Sequence, residues 1–426
     1  MLASSITSAL SPRGTSSGKL SVLDISRTKL TAVLLLVGGV ISVSPLLSAF
    51  SPIKGNLISL AAAAAIVAIR IEGYAINRRV IALVLLLLAT GAVSASYWGA
   101  TRMMLIPIYI ISSALAVSVV RHRDVDLFVE LFTWVAVAML VGAVVGLFYA
   151  FFGGAPLLSF PNPDGRLNQL FLTTLTNAQY LNFIRPSGLF DEPGALSFVV
   201  CCLAALRQAL GYDKRVTWIM LLLGLVTMSL AHMLYMIIHG VNELSGSKHM
   251  IRALVLMTIV AIALFAIVTF VQPVHEIYSN LLLAKFVVSD GRLVGDNRTD
   301  LFLNAKSYIN STTLWFGIDA QCALGFVNCA QDRYGQYGEN PLTLIMQWGL
   351  LISFPYYLSL FYLGIVAFLR RSLIPLGLLL LLLQRPYTMS FGYALLILLT
   401  IAVLAHKIPE SDSAAVPGAS GNGGGL

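Results

Sequence analysis

Residues 185–198 read Arg-Pro-Ser-Gly-Leu-Phe-Asp-Glu-Pro-Gly-Ala-Leu-Ser-Phe, one cation and two adjacent carboxylates at the start of an apolar run. Ionisable groups at the mouth of a membrane helix are costly unless they bind something, so Arg185, Asp191 and Glu192 mark a site. Arg166 lies upstream of them, and Arg292, Arg298, Arg333, Glu339 and Asn340 lie downstream. Arginine forks hold phosphate or carboxylate through paired N–H bonds and keep their charge. Two such forks from separate loops, meeting at a membrane surface, suit a diphosphate that carries a lipid tail. A Glu whose pKa is raised by partial burial is a competent general base. Plainer roles stand beside these. Arg185 can pair with Asp191 or Glu192 to pin the loop, and Glu339 can sit beside a helix N-terminus opened by Pro341.

The elements that must position these residues are membrane helices. The 426 residues are 58% hydrophobic and 11% charged, with a mean hydropathy of +0.85. A soluble domain could not hide that much apolar surface. The apolar runs are continuous rather than alternating, which argues for helices over a barrel. The expected fold class is an all-α polytopic membrane protein. Spans are expected near 30–50, 55–71, 80–98, 103–120, 127–151, 195–210, 251–271, 341–369 and 388–405, with shorter pieces near 216–242 and 373–384. The expected organisation is a cytoplasmic segment 1–29, membrane helices 30–151, and an outer loop 152–194 holding Arg185. Membrane helices 195–271 follow, with a helix broken near Ser229, then a large outer loop 272–340 holding Arg298. Membrane helices 341–405 and a disordered cytoplasmic tail 406–426 complete it.

Lys and Arg set the orientation. Arg13, Lys19, Arg27 and Lys29 put the N-terminus inside, and Arg70, Arg78, Arg79, Arg121 and Arg123 follow inside by alternation. If 216–242 enters and returns as two half-length pieces, Lys248, Arg252, Arg370, Arg371 and Lys407 are inside too. This gives about 12 crossings and turns both large loops outward. The net charge of +8 is spread as loop anchors, so nucleic acid is excluded as a partner and membrane lipid is the expected surroundings.

Other residues have plainer readings. Asp124-x-Asp126 reads as solvated charge in a cytoplasmic turn, not as a metal site. His232 and His239 share a helix face with no carboxylate on it, which favours hydrogen-bonded packing, with His232 also able to line a cavity. Tyr97, Trp98 and Trp348 read as interfacial anchors. Tyr334 and Tyr337 can stack on sugars or pack the loop. Cys322 and Cys329 close a short loop and can form a disulfide in an oxidising compartment.

Arg185-x-x-Gly188-x-Phe190-x-Glu192-Pro193 resembles the O-antigen polymerase and ligase superfamily of Wzy and WaaL type. Arg298 with Leu301-Phe302, Ala305, Ile309 and Trp315-Phe316-Gly317-Ile318 is similar to a second segment of that family. Glu339-Asn340 with Gly349-Leu350 is similar to a third, and Thr227-Met228-Ser229 to its Ser-containing helix break. Glu339 stands where the family has His, and Ala320 stands near the second Gly of its Gly-x-Gly. The resemblance covers roughly residues 180–365. It implies a GT-C-type helical bundle and an inverting glycosyltransferase that uses no metal or other cofactor. The donor would be an oligosaccharide on undecaprenyl diphosphate at the outer face of the bacterial inner membrane, with a chain-length regulator protein as a further partner. Arg185 and Arg298 would grip the diphosphate, and Glu339 or Glu192 would deprotonate the acceptor. Arg166, Asp191, Arg292, Arg333, Asn340, Tyr334, Tyr337 and His232 would line the substrate.

Overall fold

The computed structural model describes residues 22–51, 53–71, 78–161, 166–180, 183–244, 288–289, 292–293, 297–318, 340–384, 386 and 391–405. The expected span at 251–271, the tail 406–426, Cys322, Cys329, Arg333, Tyr334, Tyr337 and Glu339 lie outside the described residues, as do the side chains of Arg292 and Arg298.

The described chain is mostly helical, at 78%. Four of its helices are long and apolar enough to cross a membrane, namely Asp24–Val43, Val80–Trp98, His122–Phe151 and Leu350–Arg370. In chain order the helices are α1 (Val22–Gly39), the short α2 (Pro45–Phe50), α3 (Gly55–Arg70), α4 (Arg78–Trp98), α5 (Leu105–Val119) and α6 (His122–Phe151). Next come α7 (Pro193–Ala209), α8 (Lys214–Leu223), α9 (Leu230–Leu244), α10 (Asn297–Ser307) and α11 (Ser311–Phe316). Last are α12 (Thr343–Trp348), α13 (Leu350–Arg370), α14 (Ile374–Gln384) and α15 (Phe391–Ala405).

Two helices form the centre because they are apolar on every side. Nearly every residue of α7 from Pro193 to Arg207 is buried, and so is nearly all of α15. They pack on each other, with Phe198 and Tyr393 edge to face at 6.0 Å. Helices α1, α3 and α5 cover α15, and α6 and α14 cover α7. Small residues allow the close approach of α1 and α3. Ser59 Oγ donates to the Gly38 carbonyl at 2.8 Å, and a Cβ on Gly38 would lie 2.9 Å from Ala62 Cβ.

Several expectations are corrected here. The first helix begins at Val22 and turns off after Gly39, not at 30 and 50, because Pro45 opens a new short helix. The span expected at 341–369 is broken at Gly349, whose φ of +71° belongs to glycine, into α12 and α13. The 152–194 segment is not plain loop. It folds as a β-meander of β1 (Leu158–Pro161), β2 (Leu167–Phe171) and β3 (Thr174–Thr176), followed by a hairpin of β4 (Gln179–Tyr180) and β5 (Phe183–Ile184). A further two-strand pair joins β6 (Val288–Ser289) and β7 (Arg292–Leu293).

At the end of the bundle where α6 begins, the charges are built into the packing. Asp124 is fully buried and paired with Arg70, while its other oxygen accepts the Arg121 backbone N–H at 3.0 Å. The expected solvated turn charge is therefore wrong for Asp124. Its partner lies on α3, far along the chain, where local sequence does not point. Arg207 is likewise buried and donates to Thr133 and Thr217 at 2.9 and 3.0 Å. Tyr212, between α7 and α8, donates to the Asp126 carbonyl at 2.8 Å. Burial pushes its phenol up to about 12, so it stays a neutral donor.

Candidate functional site

The region around Arg185 is built by two segments that approach from opposite ends of the bundle. The first is the β-meander. Gly142 and Gly146 open a groove along α6, and the turn between β2 and β3 lies in it. Thr173 Oγ1 donates to the Gly142 carbonyl at 2.6 Å, and a Cβ on Gly146 would meet Thr174 Cγ2 at 2.4 Å. The two residues of that turn, Leu172 and Thr173, are exposed, while Thr174, Leu175 and Thr176, which follow in β3, are fully buried.

The second segment is the α8–α9 hairpin. Helix α8 continues as a tight 3-10 turn, Gly224–Thr227, and the chain reverses at Met228, whose φ of +49° is left-handed. A non-glycine residue there costs about 1–2 kcal/mol, so something must hold it. Trp218 Nε1 donates to Glu243 at 2.9 Å and His232 Nε2 meets the Leu221 carbonyl at 2.7 Å, so the two helices run antiparallel. Helix α8 and its turn rise about 23 Å, and α9 runs back beside α8.

Arg185 joins the two segments. Its backbone is fixed by the β4–β5 hairpin, with N–H to the Ala178 carbonyl at 2.9 Å and carbonyl to Thr176 Oγ1 at 2.8 Å. Its guanidinium donates to the Thr227 carbonyl from Nε at 3.2 Å and Nη2 at 3.1 Å, and to the Met228 carbonyl at 3.1 Å. These carbonyls end the 3-10 turn and are partly negative, so the cation stabilises the helix break.

Two helix N-termini open at this junction. Helix α9 starts two residues after Met228. Helix α7 starts at Pro193, and its N-cap is Glu192. His232 touches Ser197 and Cys201 of α7, and Tyr235, one turn on, faces Cys201 and Cys202. The contacts advance in the same sense on both helices, so α7 and α9 are parallel; the third residue of α9 lies against the fifth and ninth of α7, so α9 starts about one turn further in than α7. Backbone N–H groups at helix N-termini attract anions.

The acidic residues lie on the same edge. Glu192 is 8% exposed, and its Oε2 lies 3.5 Å from Nη1 of Arg166, whose side chain is half-exposed. Two residues expected at the site are thus in contact, with Arg166 bringing positive charge back to a buried carboxylate. Asp191 is half-buried beside them. His232 is fully buried between Leu221, Cys201 and Ser197, so it sits inside the bundle rather than on an open surface.

Residues 297–318 and 340–350 meet elsewhere. Ile318 N–H donates to the Met346 carbonyl at 2.7 Å, and Gly317 and Gly349 cross backbone to backbone. Trp98 Nε1 donates to the Phe316 carbonyl at 2.9 Å, and Tyr97 stacks on Phe316 at 4.0 Å. These two aromatics fasten α11 to the end of α4 and are more than interfacial anchors. Trp348 is 2% exposed, so it is a core residue and not an anchor. Asn340 is buried, and its Oδ1 accepts the Leu342 N–H at 2.8 Å, a local turn at the start of α12. Arg298 is the second residue of α10 and Arg292 lies on β7, both in backbone position alone.

Sequence reasoning missed Thr227 and Met228 as partners of Arg185. It also missed Glu243, which puts a carboxylate on the His232–His239 face, with its Oε1 3.7 Å from His239 Nε2. The four-residue spacing from His239 to Glu243 was the available signal. The chain matches no protein-family model, no curated protein and no solved structure.

Proposed function

We propose that this chain is a polysaccharide polymerase of the Wzy-like type, an inverting, metal-independent glycosyltransferase. It transfers a glycan from undecaprenyl diphosphate to a lipid-linked repeat unit at the outer face of the bacterial inner membrane. In this reading the chain crosses about 12 times in a GT-C-like arrangement, and the Arg185 junction opens outward. The observation that carries it is Arg185 held on the Thr227 and Met228 carbonyls, two residues before the N-terminus of α9. As the glycosidic bond breaks, negative charge grows on the departing diphosphate, and a preorganised cation with helix N–H groups stabilises it. Arg298 supplies the second fork. Glu192 or Glu339 takes the proton from the acceptor hydroxyl, and the lean of Arg166 on Glu192 keeps that carboxylate from repelling the donor.

The test is reconstitution of the purified protein with a lipid-linked repeat unit. Longer lipid-linked chains support the polymerase. Glycan on another lipid or a protein core supports a ligase that uses the same donor. A second reading, a carrier of lipid-linked oligosaccharide, draws on the broken α8–α9 hairpin, because discontinuous helices with N-termini toward an anion also serve transport. Movement of the substrate between leaflets with no new glycosidic bond would favour that reading and overturn the first.

A further inference from the structure

Strand β3 carries two threonines, Thr174 and Thr176, and both are fully buried. Between them, Leu175 pairs with the segment that follows Arg185. Its N–H donates to the Gly188 carbonyl at 2.8 Å, and its carbonyl accepts the Ser187 N–H at 2.8 Å. That ladder stops at residue 186, because Pro186 has no N–H to give. Side-chain hydroxyls take over on either side. Thr174 Oγ1 accepts the Gly188 N–H at 2.9 Å. Thr176 Oγ1 accepts the Ala178 N–H at 3.0 Å and donates to the Arg185 carbonyl at 2.8 Å, with the Ala178 carbonyl at 3.0 Å as a second acceptor. The Arg185 N–H donates to the same Ala178 carbonyl at 2.9 Å. The arginine backbone is thus tied at both ends to the corner that Thr176 builds. Strand β3 is itself seated on α6, through Thr173 on the Gly142 carbonyl and Thr174 against Gly146.

We infer that Thr176 is a positioning residue: by holding the Arg185 carbonyl, its hydroxyl aims the guanidinium at the Thr227 and Met228 carbonyls, and so at a diphosphate bound beside the hairpin tip. The part that concerns diphosphate rests on the polymerase reading. The part that concerns the hairpin tip does not. A hydroxyl supplies both an acceptor for Ala178 and a donor for Arg185. Valine has the same shape and supplies neither, which leaves both backbone groups unmet in a buried corner. Serine supplies both.

Two measurements on the full chain test this. The first is hydrogen exchange at the Met228 and Met233 amides, which donate to the Leu225 and Ser229 carbonyls at 2.9 and 3.1 Å. Thr176→Val and Arg185→Ala are each expected to speed exchange there about five- to tenfold, and the double variant should exchange no faster than Arg185→Ala alone. Thr176→Ser should restore slow exchange. The second is glycan transfer by the reconstituted protein. Thr176→Val is expected to lower kcat about 10- to 100-fold with KM little changed, with most of the rate regained in Thr176→Ser and no further loss in an Arg185→Ala background. If Thr176→Val does not fold, Thr176→Ala, which leaves room for water at both bonds, is read in the same way. Unchanged exchange at the tip in Thr176→Val overturns the inference. So does a loss that adds in full to that of Arg185→Ala, as a general structural fault would. A wild type that transfers no glycan overturns the polymerase reading instead, and the exchange measurement then decides the role of Thr176.

Discussion

The junction at Arg185 and the junction at Gly317 both join distant stretches of chain, and they do so by opposite means. At Arg185, a cation meets the backbone carbonyls that precede the N-terminus of α9. At Gly317 and Gly349, two backbones touch with no side chain between them: a Cβ on Gly349 would lie 2.3 Å from the Trp315 carbonyl oxygen. The first arrangement leaves polar backbone pointing at a place where charge can sit. The second is a packed crossing that fixes α11 against α12 and α13.

The largest expected effect breaks the first junction. Arg185→Ala should lower glycan transfer by about 10²–10³-fold, or 3–4 kcal/mol of transition-state stabilisation. Arg185→Lys keeps the charge but not the fork, so it should recover part of the rate. Rate constants from single-turnover assays on folded, reconstituted protein measure both. Equal activity of Arg185→Ala and wild type would reduce Arg185 to a brace for the hairpin tip.

The second junction should respond in stability rather than rate. Gly349→Ala must place a Cβ against backbone while holding φ +71° and ψ 167°, a region open essentially to glycine. A loss of about 2–3 kcal/mol is expected, seen as a lower unfolding temperature in detergent, with the turnover per folded molecule preserved. Lost turnover in a stable Gly349→Ala variant would show that the crossing also shapes the site.

Why one junction was legible and the other was not follows from how each is encoded. Arg185 stands out because a charge beside an apolar run is expensive wherever the chain puts it. Gly349 does not stand out, since one glycine inside an apolar stretch reads as a continuing span, and only its dihedral angles show the break. The β-meander was missed for a related reason. Strands as short as Thr174–Thr176 give too little alternation to read, and what seats them is the Gly142 and Gly146 groove on another element. Asp124 was misjudged because its burial depends on Arg70, a contact between helices that no local pattern carries. The break at Met228 was closer to legible: two half-length apolar pieces around a polar Ser229 predict a reversal, though not the left-handed residue that makes it.

A smaller effect sharpens the picture of the hairpin tip. Met228→Gly removes the cost of a left-handed side-chain residue and should stabilise the tip by up to about 1 kcal/mol. Hydrogen exchange of the α9 amides measures it. Faster exchange would mean that the methionine side chain, not the Arg185 bonds, holds the reversal.

The smallest effect concerns the outer ion pair. Arg166 and Glu192 are 3.5 Å apart, with the arginine side chain 51% exposed and the glutamate 10% exposed. An ion pair open to water on one side contributes about 0–1 kcal/mol, so Arg166→Ala should leave the unfolding temperature almost unchanged. Its consequence should be electrostatic instead. Without the arginine, Glu192 faces an incoming diphosphate uncompensated, which should raise KM for the lipid-linked donor more than it lowers kcat. Glu192→Gln placed on Arg166→Ala should then restore KM, because the repelling charge is gone, while kcat falls if Glu192 is the base. A double variant that keeps full kcat would move the proton-accepting role to Glu339 and leave Glu192 as the cap of α7.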